Sequence, residues 1–190
     1  KTDVGQMEII VRKESGTPLK STEKDIEKME NIIREVLNTD LSQMVSNIGV
    51  FYDLPAAYTP NSGTQDAFIK VQLEEERENS TDSYVPILRE RFKTEFPGLE
   101  FSFNTGGLVT AALNEGKSSP IDVQVKGNDL TVLRQLSERL RDTINEITTT
   151  RDVRILQRID QPTKEMDIDR VKAAELGVDP VDAIKNLVSA

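Results

Sequence analysis

The chain of 190 residues contains no cysteine, no histidine and no tryptophan, and aromatic residues make up only 5% of it. Without cysteine there is no disulfide framework and no thiolate nucleophile. Without histidine the commonest general base and metal ligand is missing, which excludes Ser-His-Asp and Cys-His sites. Zinc or copper would have to depend on carboxylates and four methionines, a poor ligand set for either metal. We therefore expect no catalytic site, no metal site and no cofactor.

Long hydrophobic runs and positive charge are also scarce. The apolar runs are a few residues long, well short of the roughly 20 that a membrane-spanning helix needs. Basic residues number 24 against 33 acidic ones, which gives a formal net charge of -9. A surface this acidic repels phosphate backbones, and no basic run offsets the repulsion. We expect no binding to nucleic acid.

What the sequence does contain is a strand, helix and strand pattern that first occurs at its start. Residues 6–13 alternate between apolar and polar side chains, which predicts a strand. Residues 23–37 carry apolar side chains at helical spacing, with Thr22 as the expected N-cap and Asp25 as its capping-box acid. A second strand is predicted over residues 42–52.

The pattern recurs in the next fifty residues. A strand is predicted from Asp66, a helix capped by Ser80 or Asp82 follows, and Pro97 ends it before a returning strand over 99–104. The two units read β-α-β-β-α-β, the order of a ferredoxin-like domain. We therefore predict an α+β fold with an antiparallel sheet and both helices on one face.

A third unit opens a second domain of the same kind. Its predicted elements are strands over 121–126, 153–159 and 163–169, and helices over 130–147, over 171–177 and from Pro180 to the end. A second full β-α-β is not there, so this ferredoxin-like half is expected to be incomplete. We place the two domains at residues 1–115 and 116–190.

Few features of the chain suggest chemistry. Gly106 and Gly107 lack the spacing of a dinucleotide site and are interpreted as a linker. The segment 54–65 is either a functional loop or a solvated connection. Asp167 and Asp169 share a strand face, either as a carboxylate pair or simply as solvated charges.

Short motifs in a fixed order make the chain resemble a known family. They are Thr2-Asp3-Val4-Gly5-Gln6, Phe101-Ser102-Phe103-Asn104, Pro120-Ile121-Asp122-Val123-Gln124-Val125-Lys126-Gly127, Asp167-Ile168-Asp169-Arg170 and Leu176-Gly177-Val178. Each motif is weak alone, but together they resemble the second large periplasmic loop, or porter region, of AcrB/AcrD/AcrF-like resistance-nodulation-division efflux pumps.

The resemblance implies a function for the chain as a fragment of such a pump. It would be a periplasmic porter region of a proton-driven multidrug transporter, a loop of an inner-membrane protein that leads toward a docking domain after Ala190. Partners implied in the intact pump are the other subunits of a homotrimer, a periplasmic adaptor and an outer-membrane channel. The fragment itself would be neither an enzyme nor a complete transporter.

The resemblance also implies substrate-binding residues. Ile10, Phe101, Phe103 and Thr105 match positions of the family's substrate cleft, although Phe101 and Phe103 fit core packing equally well. A loop over 49–64, longer than the multidrug pattern and containing two prolines, corresponds to the family's mobile loop. Its apolar candidates are Phe51, Tyr52 and Tyr58.

The substrate class follows from the methionines. Heavy-metal members of the family bind their ion with methionines and carboxylates, whereas Met7, Met29, Met44 and Met166 are scattered along this chain. Amphipathic or drug-like small molecules are therefore the expected substrates.

Two other functions stay open at this point. The chain could be a stand-alone ferredoxin-like module that senses or binds a small molecule, or an acid-only hydrolase using Asp167 and Asp169. We also expect the isolated fragment to form a dimer through residues after Ser119, because an incomplete domain leaves a sheet edge and an apolar helix face uncovered.

Overall fold

The computed structural model describes residues 3–49, 63–105, 121–157 and 167–188. Its elements in chain order are β1 (Gln6–Arg12), α1 (Leu19–Leu37), β2 (Leu41–Ile48), β3 (Asp66–Leu73), α2 (Thr81–Glu95), β4 (Glu100–Asn104), α3 (Leu130–Asn145), α4 (Arg170–Glu175) and α5 (Pro180–Val188). A single 3-10 turn, Asn38–Asp40, joins α1 to β2.

The four strands form one antiparallel sheet in the order β2-β3-β1-β4. Two strand-helix-strand units interleave to give this order, which confirms the α+β, ferredoxin-like architecture. The sheet register places Ile9 of β1 between Ile69 of β3 and Phe103 of β4. Strand β4 is an outer strand, with β1 on one side of it.

The two faces of the sheet differ because side chains alternate along each strand. Met7, Ile9 and Val11 of β1 lie on the face that α1 and α2 cover, and all three belong to the buried core. The side chains of Ile10 and Arg12 project from the opposite face, which we call the open face. Each large aliphatic or aromatic side chain buried between sheet and helices contributes about 1.5–3 kcal/mol.

Helix α1 begins earlier than predicted. It starts at Leu19, directly after Pro18, and Thr22 lies inside it with no exposed surface. The predicted Thr22 N-cap is therefore wrong, because this side chain faces the core, where its hydroxyl cannot turn to the helix end. The proline, with its φ of -63°, has a backbone conformation suited to starting a helix. Asp25 forms an ion pair with Lys13 instead of closing a capping box.

Helix α2 and the strands around it match their predicted positions closely. Ser80 occupies the N-cap position of α2, one of the two predicted options, but its side chain makes no capping hydrogen bond. The helix ends before Pro97, as expected, and β4 returns along the edge of the sheet.

The later part of the chain differs from the prediction. Residues 121–127 and 151–157 contain no strand, so the strands predicted at 121–126 and at 153–157 are wrong for these described residues. Ile121 and Val123 are 72% and 55% exposed. Their alternation gave one apolar face, but a strand forms only where a neighbouring strand bonds its backbone. Residues 167–169 also contain no strand, so Asp167 and Asp169 do not share a strand face as predicted. The remainder of these predictions, 158–159 and 163–166, lies outside the described residues.

The helices of this later part were predicted well. Helix α3 begins at Leu130, after Asp129, whose side chain caps the backbone N–H groups of Thr131 and Val132. Helix α5 begins at Pro180, as expected. The boundary between domains 1–115 and 116–190 stays a prediction, since residues 106–120 lie outside the described part.

Candidate functional site

An aromatic cluster lies where α2 packs on the edge strand β4. The ring of Phe92, which is fully buried, stacks on Phe103 with centroids 5.9 Å apart. Phe101 meets the same ring edge to face at 5.7 Å, and Phe96 at 6.0 Å. Phe101 and Phe103 are half-buried, so one side of each ring packs on the core while another remains accessible.

Two of the predicted cleft residues share the helix-covered face of β4, and a third, Thr105, directly follows the strand. Phe101 and Phe103 pair across the sheet with Val11 and Ile9, two core residues. The hydroxyl of Thr105 donates a hydrogen bond of 2.7 Å to the carboxylate of Asp82 on α2. These three side chains therefore form one row that runs along the outer strand beside α2.

The fourth predicted cleft residue, Ile10, lies on the other face. It is 4% exposed and sits directly opposite Phe68 on β3 and Ser102 on β4. Successive side chains along a strand point to opposite faces, and Ile10 pairs with Ser102, which lies between Phe101 and Phe103. The structure therefore does not bring Ile10 together with the two phenylalanines. Lys70 lies over the Phe68 ring at 5.2 Å on this open face. Phe51, Tyr52 and Tyr58 lie outside the described residues.

A chain segment from the later half contacts the edge strand. Asp152 accepts hydrogen bonds from Arg89 on α2, at 3.2 and 2.7 Å, and from the backbone N–H of Phe103, at 3.0 Å. Beyond it, Arg154 donates to the hydroxyl of Ser102. Arg12 donates to the backbone carbonyls of residues 155 and 156 at 2.8 and 2.6 Å. We call residues 152–156 the edge segment.

These polar contacts were not predicted from the sequence. The bond between Asp152 and the Phe103 backbone spans 49 positions in the chain. Each of the other contacts joins residues that are 52 or more positions apart. A charged residue on a helix gives no local sign that its partner lies in a distant, irregular segment. The positive φ of Asp152, 56°, is likewise a property of the folded backbone.

Two arginines, Arg12 and Arg154, lie close enough on the open face beside β4 to affect each other's charge. Burial lowers the pKa of Arg154, and the nearby charge of Arg12 lowers it further, while Glu100 and Asp152 act in the opposite direction. Arg12 is itself 7% exposed and lies 4.0 Å from Asp66, which is 1% exposed. Carbonyl and carboxylate oxygens therefore compensate the positive charges of these two arginines.

The residues considered for metal binding or hydrolysis have other roles. Met7 and Met29 are buried in the core and Met44 packs against it, whereas Met166 lies outside the described residues. Within the described ranges, no three of His, Cys, Asp and Glu come together as a metal site. Asp169 caps α4 by accepting hydrogen bonds from the backbone N–H groups of residues 171 and 172, and Asp167 is exposed.

An open pocket of about 360 Å³ lies elsewhere, between the loop after β1 and the turn after α2. Lys13, Thr17, Asp25 and the residues from Glu95 to Leu99 line it. None of the predicted substrate residues takes part, and the ion pair between Lys13 and Asp25 occupies one wall.

The family model of the AcrB/AcrD/AcrF family matches residues 1–190. The chain belongs to this family. The match confirms the resemblance to resistance-nodulation-division pumps that the ordered motifs gave, and it identifies a family of transporters, not a class of enzymes. No curated protein sequence matches the chain at a significant level.

Two solved structures of a heavy metal efflux pump share the fold of this AcrB/AcrD/AcrF family chain. Crystal form II superposes with a TM-score of 0.76 at 20% identity over 96% of the chain, and crystal form I with 0.72 at 21% over 95%. The chain spans 19% of the length of each. Among the residues that the structure describes, no helix has the length and apolar character needed to cross a membrane.

Proposed function

We propose that the chain is a periplasmic porter region of a proton-driven efflux pump and forms part of its substrate cleft. The observation that carries the proposal is the family match over residues 1–190. The ferredoxin-like sheet supports it, because the resemblance implies that fold for a porter subdomain. In the intact pump, the partners would be the other subunits of a homotrimer, a periplasmic adaptor and an outer-membrane channel, with the chain outside the inner membrane.

The part of the cleft assigned to this chain is the row of Phe101, Phe103 and Thr105. Half-buried aromatic rings present an apolar surface whose shape is fixed from behind, here by Phe92. Such a surface suits an amphipathic molecule, and Arg89, 5.1 Å from the Phe103 ring, adds a charge at its border. Ile10 contributes to the opposite face of the same sheet. Phe51, Tyr52 and Tyr58 remain assigned to the loop over 49–64 by resemblance alone.

The substrate class proposed is amphipathic or drug-like small molecules. A heavy-metal cation is the second candidate, because the two solved structures with this fold are of a heavy metal efflux pump. Two of the three described methionines are evidence against it. Met7 and Met29 are 2% and 0% exposed and fill the core, so their sulfurs are not presented to an ion in the cleft.

Growth inhibition separates the two substrate classes. The full-length parent pump is expressed in a host without its own efflux pumps, and growth is measured against amphipathic dyes and detergents and against zinc, copper and silver salts. Protection against the amphipathic compounds alone supports the proposal. Protection against the metal salts alone would show that the cation is the substrate.

We also infer that the 190-residue chain, studied alone, forms a dimer through α3. No residue of this helix is buried, although Leu133, Leu136, Leu140 and Ile144 form one apolar stripe along it. Leu136 is 46% exposed and Ile147, just past the helix end, is 50% exposed. Covering such a stripe with a second copy removes apolar surface from water.

A further inference from the structure

We propose that the edge segment, residues 152–156, is a clamp on the side of β4 that faces away from β1, and that Asp152 is the residue that positions it. Strand β4 pairs with β1 on one side, and among the described residues no other strand lies along its second side. The contacts of the edge segment fall on this side and on both faces next to it.

The order of the contacts shows how the clamp passes around the strand. Asp152 binds Arg89 on α2, on the helix-covered side. Its carboxylate also accepts a hydrogen bond from the backbone N–H of Phe103, in the way that a carbonyl of a neighbouring strand would. Arg154 then reaches Ser102 on the open face. The segment therefore runs from the helix side, past the edge, to the open side.

The far end of the clamp is held by Arg12. Its guanidinium, at the end of the inner strand β1, donates to two consecutive carbonyls, those of residues 155 and 156. These bonds span 143 and 144 positions in the chain and tie its first strand to the segment that follows α3. Leu156 is 63% exposed, so these polar bonds, and not burial of its side chain, hold this end of the segment.

The backbone of Asp152 marks it as the positioning residue. Its φ of 56° lies in the left-handed region, which is unfavourable for a residue with a Cβ. Asp tolerates this conformation better than most residues. Its side chain is only 16% exposed, and one carboxylate oxygen serves both Arg89 and the Phe103 N–H. The hydrogen bonds with Arg89 and with the Phe103 N–H thus stabilise the unfavourable backbone conformation of Asp152.

Arg89 connects the clamp to the aromatic row. Its guanidinium lies 5.1 Å from the centre of the Phe103 ring and binds both oxygens of Asp152. If Asp152 moves away, the backbone N–H of Phe103 and the guanidinium of Arg89 both lose their hydrogen-bond acceptor at the same time. Any role of the clamp in exposing the row of Phe101, Phe103 and Thr105 to substrate rests on the proposed function. The clamp itself does not depend on that function.

Amide hydrogen exchange of the 190-residue chain, followed by NMR, tests the clamp. Asp152→Gly relieves the backbone strain but removes the carboxylate, and it should speed exchange of the Phe103 N–H by roughly tenfold or more. Asp152→Asn keeps an acceptor and should have a smaller effect. The Ile69 N–H in the centre of the sheet reports the global fold and should stay slow. Asp142→Asn, whose exposed carboxylate pairs only with neighbouring Arg141 among its described contacts, is the matched control.

A double-mutant cycle keeps the test decisive if Asp152→Gly unfolds the chain. Arg89→Gln should speed Phe103 exchange in the wild-type background and have little further effect in Asp152→Asn. Independent, additive effects of the two changes would overturn the clamp, as would unchanged exchange in Asp152→Gly with Ile69 still protected. Hydrogen exchange tests only the clamp, and the growth assay tests only transport. Failure of the clamp proposal can therefore be distinguished from failure of the transport proposal.

Discussion

Asp3 caps helix α2 from 78 positions away by binding Thr81 twice. Its carboxylate accepts hydrogen bonds from the Thr81 backbone N–H at 2.8 Å and from the Thr81 hydroxyl at 2.6 Å. The residue in the N-cap position, Ser80, makes no such bond, so the start of the chain supplies the cap. Arg77 adds an ion pair of 3.0 Å to the same carboxylate.

Asp3→Ala should therefore destabilise the chain by about 1 kcal/mol, the usual cost of losing a helix cap. Urea unfolding at neutral pH measures the loss. Asp142→Ala, which removes an exposed carboxylate paired with the adjacent residue, should change stability by less than about 0.5 kcal/mol. Equal losses in the two variants would show that Asp3 does not act as a cap.

The cap should also weaken in acid. Burial raises the pKa of Asp3, but the hydrogen bonds from Thr81 and Gly5 and the Arg77 contact together lower it well below its ordinary value of 3.8. A carboxyl with a lowered folded-state pKa stabilises fully above its unfolded pKa, and the effect is lost as pH falls through the folded pKa. The stability difference between wild type and Asp3→Ala should thus shrink below about pH 4. A difference that stays constant down to pH 2 would contradict this.

The buried pair of Tyr84 and Asp40 provides an alkaline counterpart. Burial, followed by the hydrogen bond to the Asp40 carboxylate, raises the pKa of Tyr84 above 10.0. A raised pKa means that the stabilisation is complete below pH 10 and is lost as pH rises through the folded value. Tyr84→Phe should cost about 1.5–3 kcal/mol at neutral pH, because Asp40 loses its partner in a buried site.

Unfolding curves at pH 7 and pH 11 measure this effect, with ultraviolet absorbance reporting tyrosinate among the three tyrosines. Tyr84→Phe should be less stable than wild type at pH 7, and the two should converge at high pH. A Tyr84 that ionises together with the other two tyrosines in the folded chain would show that the buried bond is weak.

The sequence predicted the first four strands and two helices because each carries its own periodicity and stop signals. It placed Ile10, Phe101 and Phe103 on strands but could not group them, since only the register shows that Ile10 faces away from the two phenylalanines. The strands predicted over 121–126 and 153–157 are wrong because a local pattern is not sufficient to form a strand. Ile121 and Val123 have a strand pattern, but a strand also needs a partner, and no local pattern encodes one.

Side-chain links between distant segments were beyond prediction for the same reason. Nothing near Asp152 indicates Arg89, and nothing near Asp3 indicates Thr81. Family membership, in contrast, was accessible, because the order of many weak motifs carries more information than any one of them. The match over residues 1–190 confirms it.

Two phenylalanine variants distinguish core packing from an accessible surface. Phe92 is fully buried, so Phe92→Ala should lose about 3–5 kcal/mol of folding free energy. Phe103 is half-buried, and Phe103→Ala should lose less, about 1–2 kcal/mol. Denaturant unfolding of both variants gives the comparison. A loss at Phe103 as large as that at Phe92 would make it a core residue and remove it from the proposed cleft.

Self-association of the isolated chain is tested by light scattering coupled to gel filtration. We expect a dimer at high micromolar concentration, and Leu136→Gln on the exposed stripe of α3 should shift it toward monomer. Val45→Gln, an equally apolar and 54% exposed position on β2, is the control and should leave the dimer unchanged. A wild-type chain that is monomeric throughout this range would refute the proposal.

Efflux by the full-length parent pump tests the central claim, that this chain lines the substrate cleft of a transporter. Cells lacking their own pumps are loaded with a fluorescent amphipathic dye, and its loss is followed with wild-type, Phe103→Ala and Val45→Ala pumps at equal expression. The account predicts energy-dependent dye loss by wild type and Val45→Ala, and a clearly altered rate for Phe103→Ala. No dye loss by the wild-type pump, or a Phe103→Ala rate identical to wild type, would contradict it.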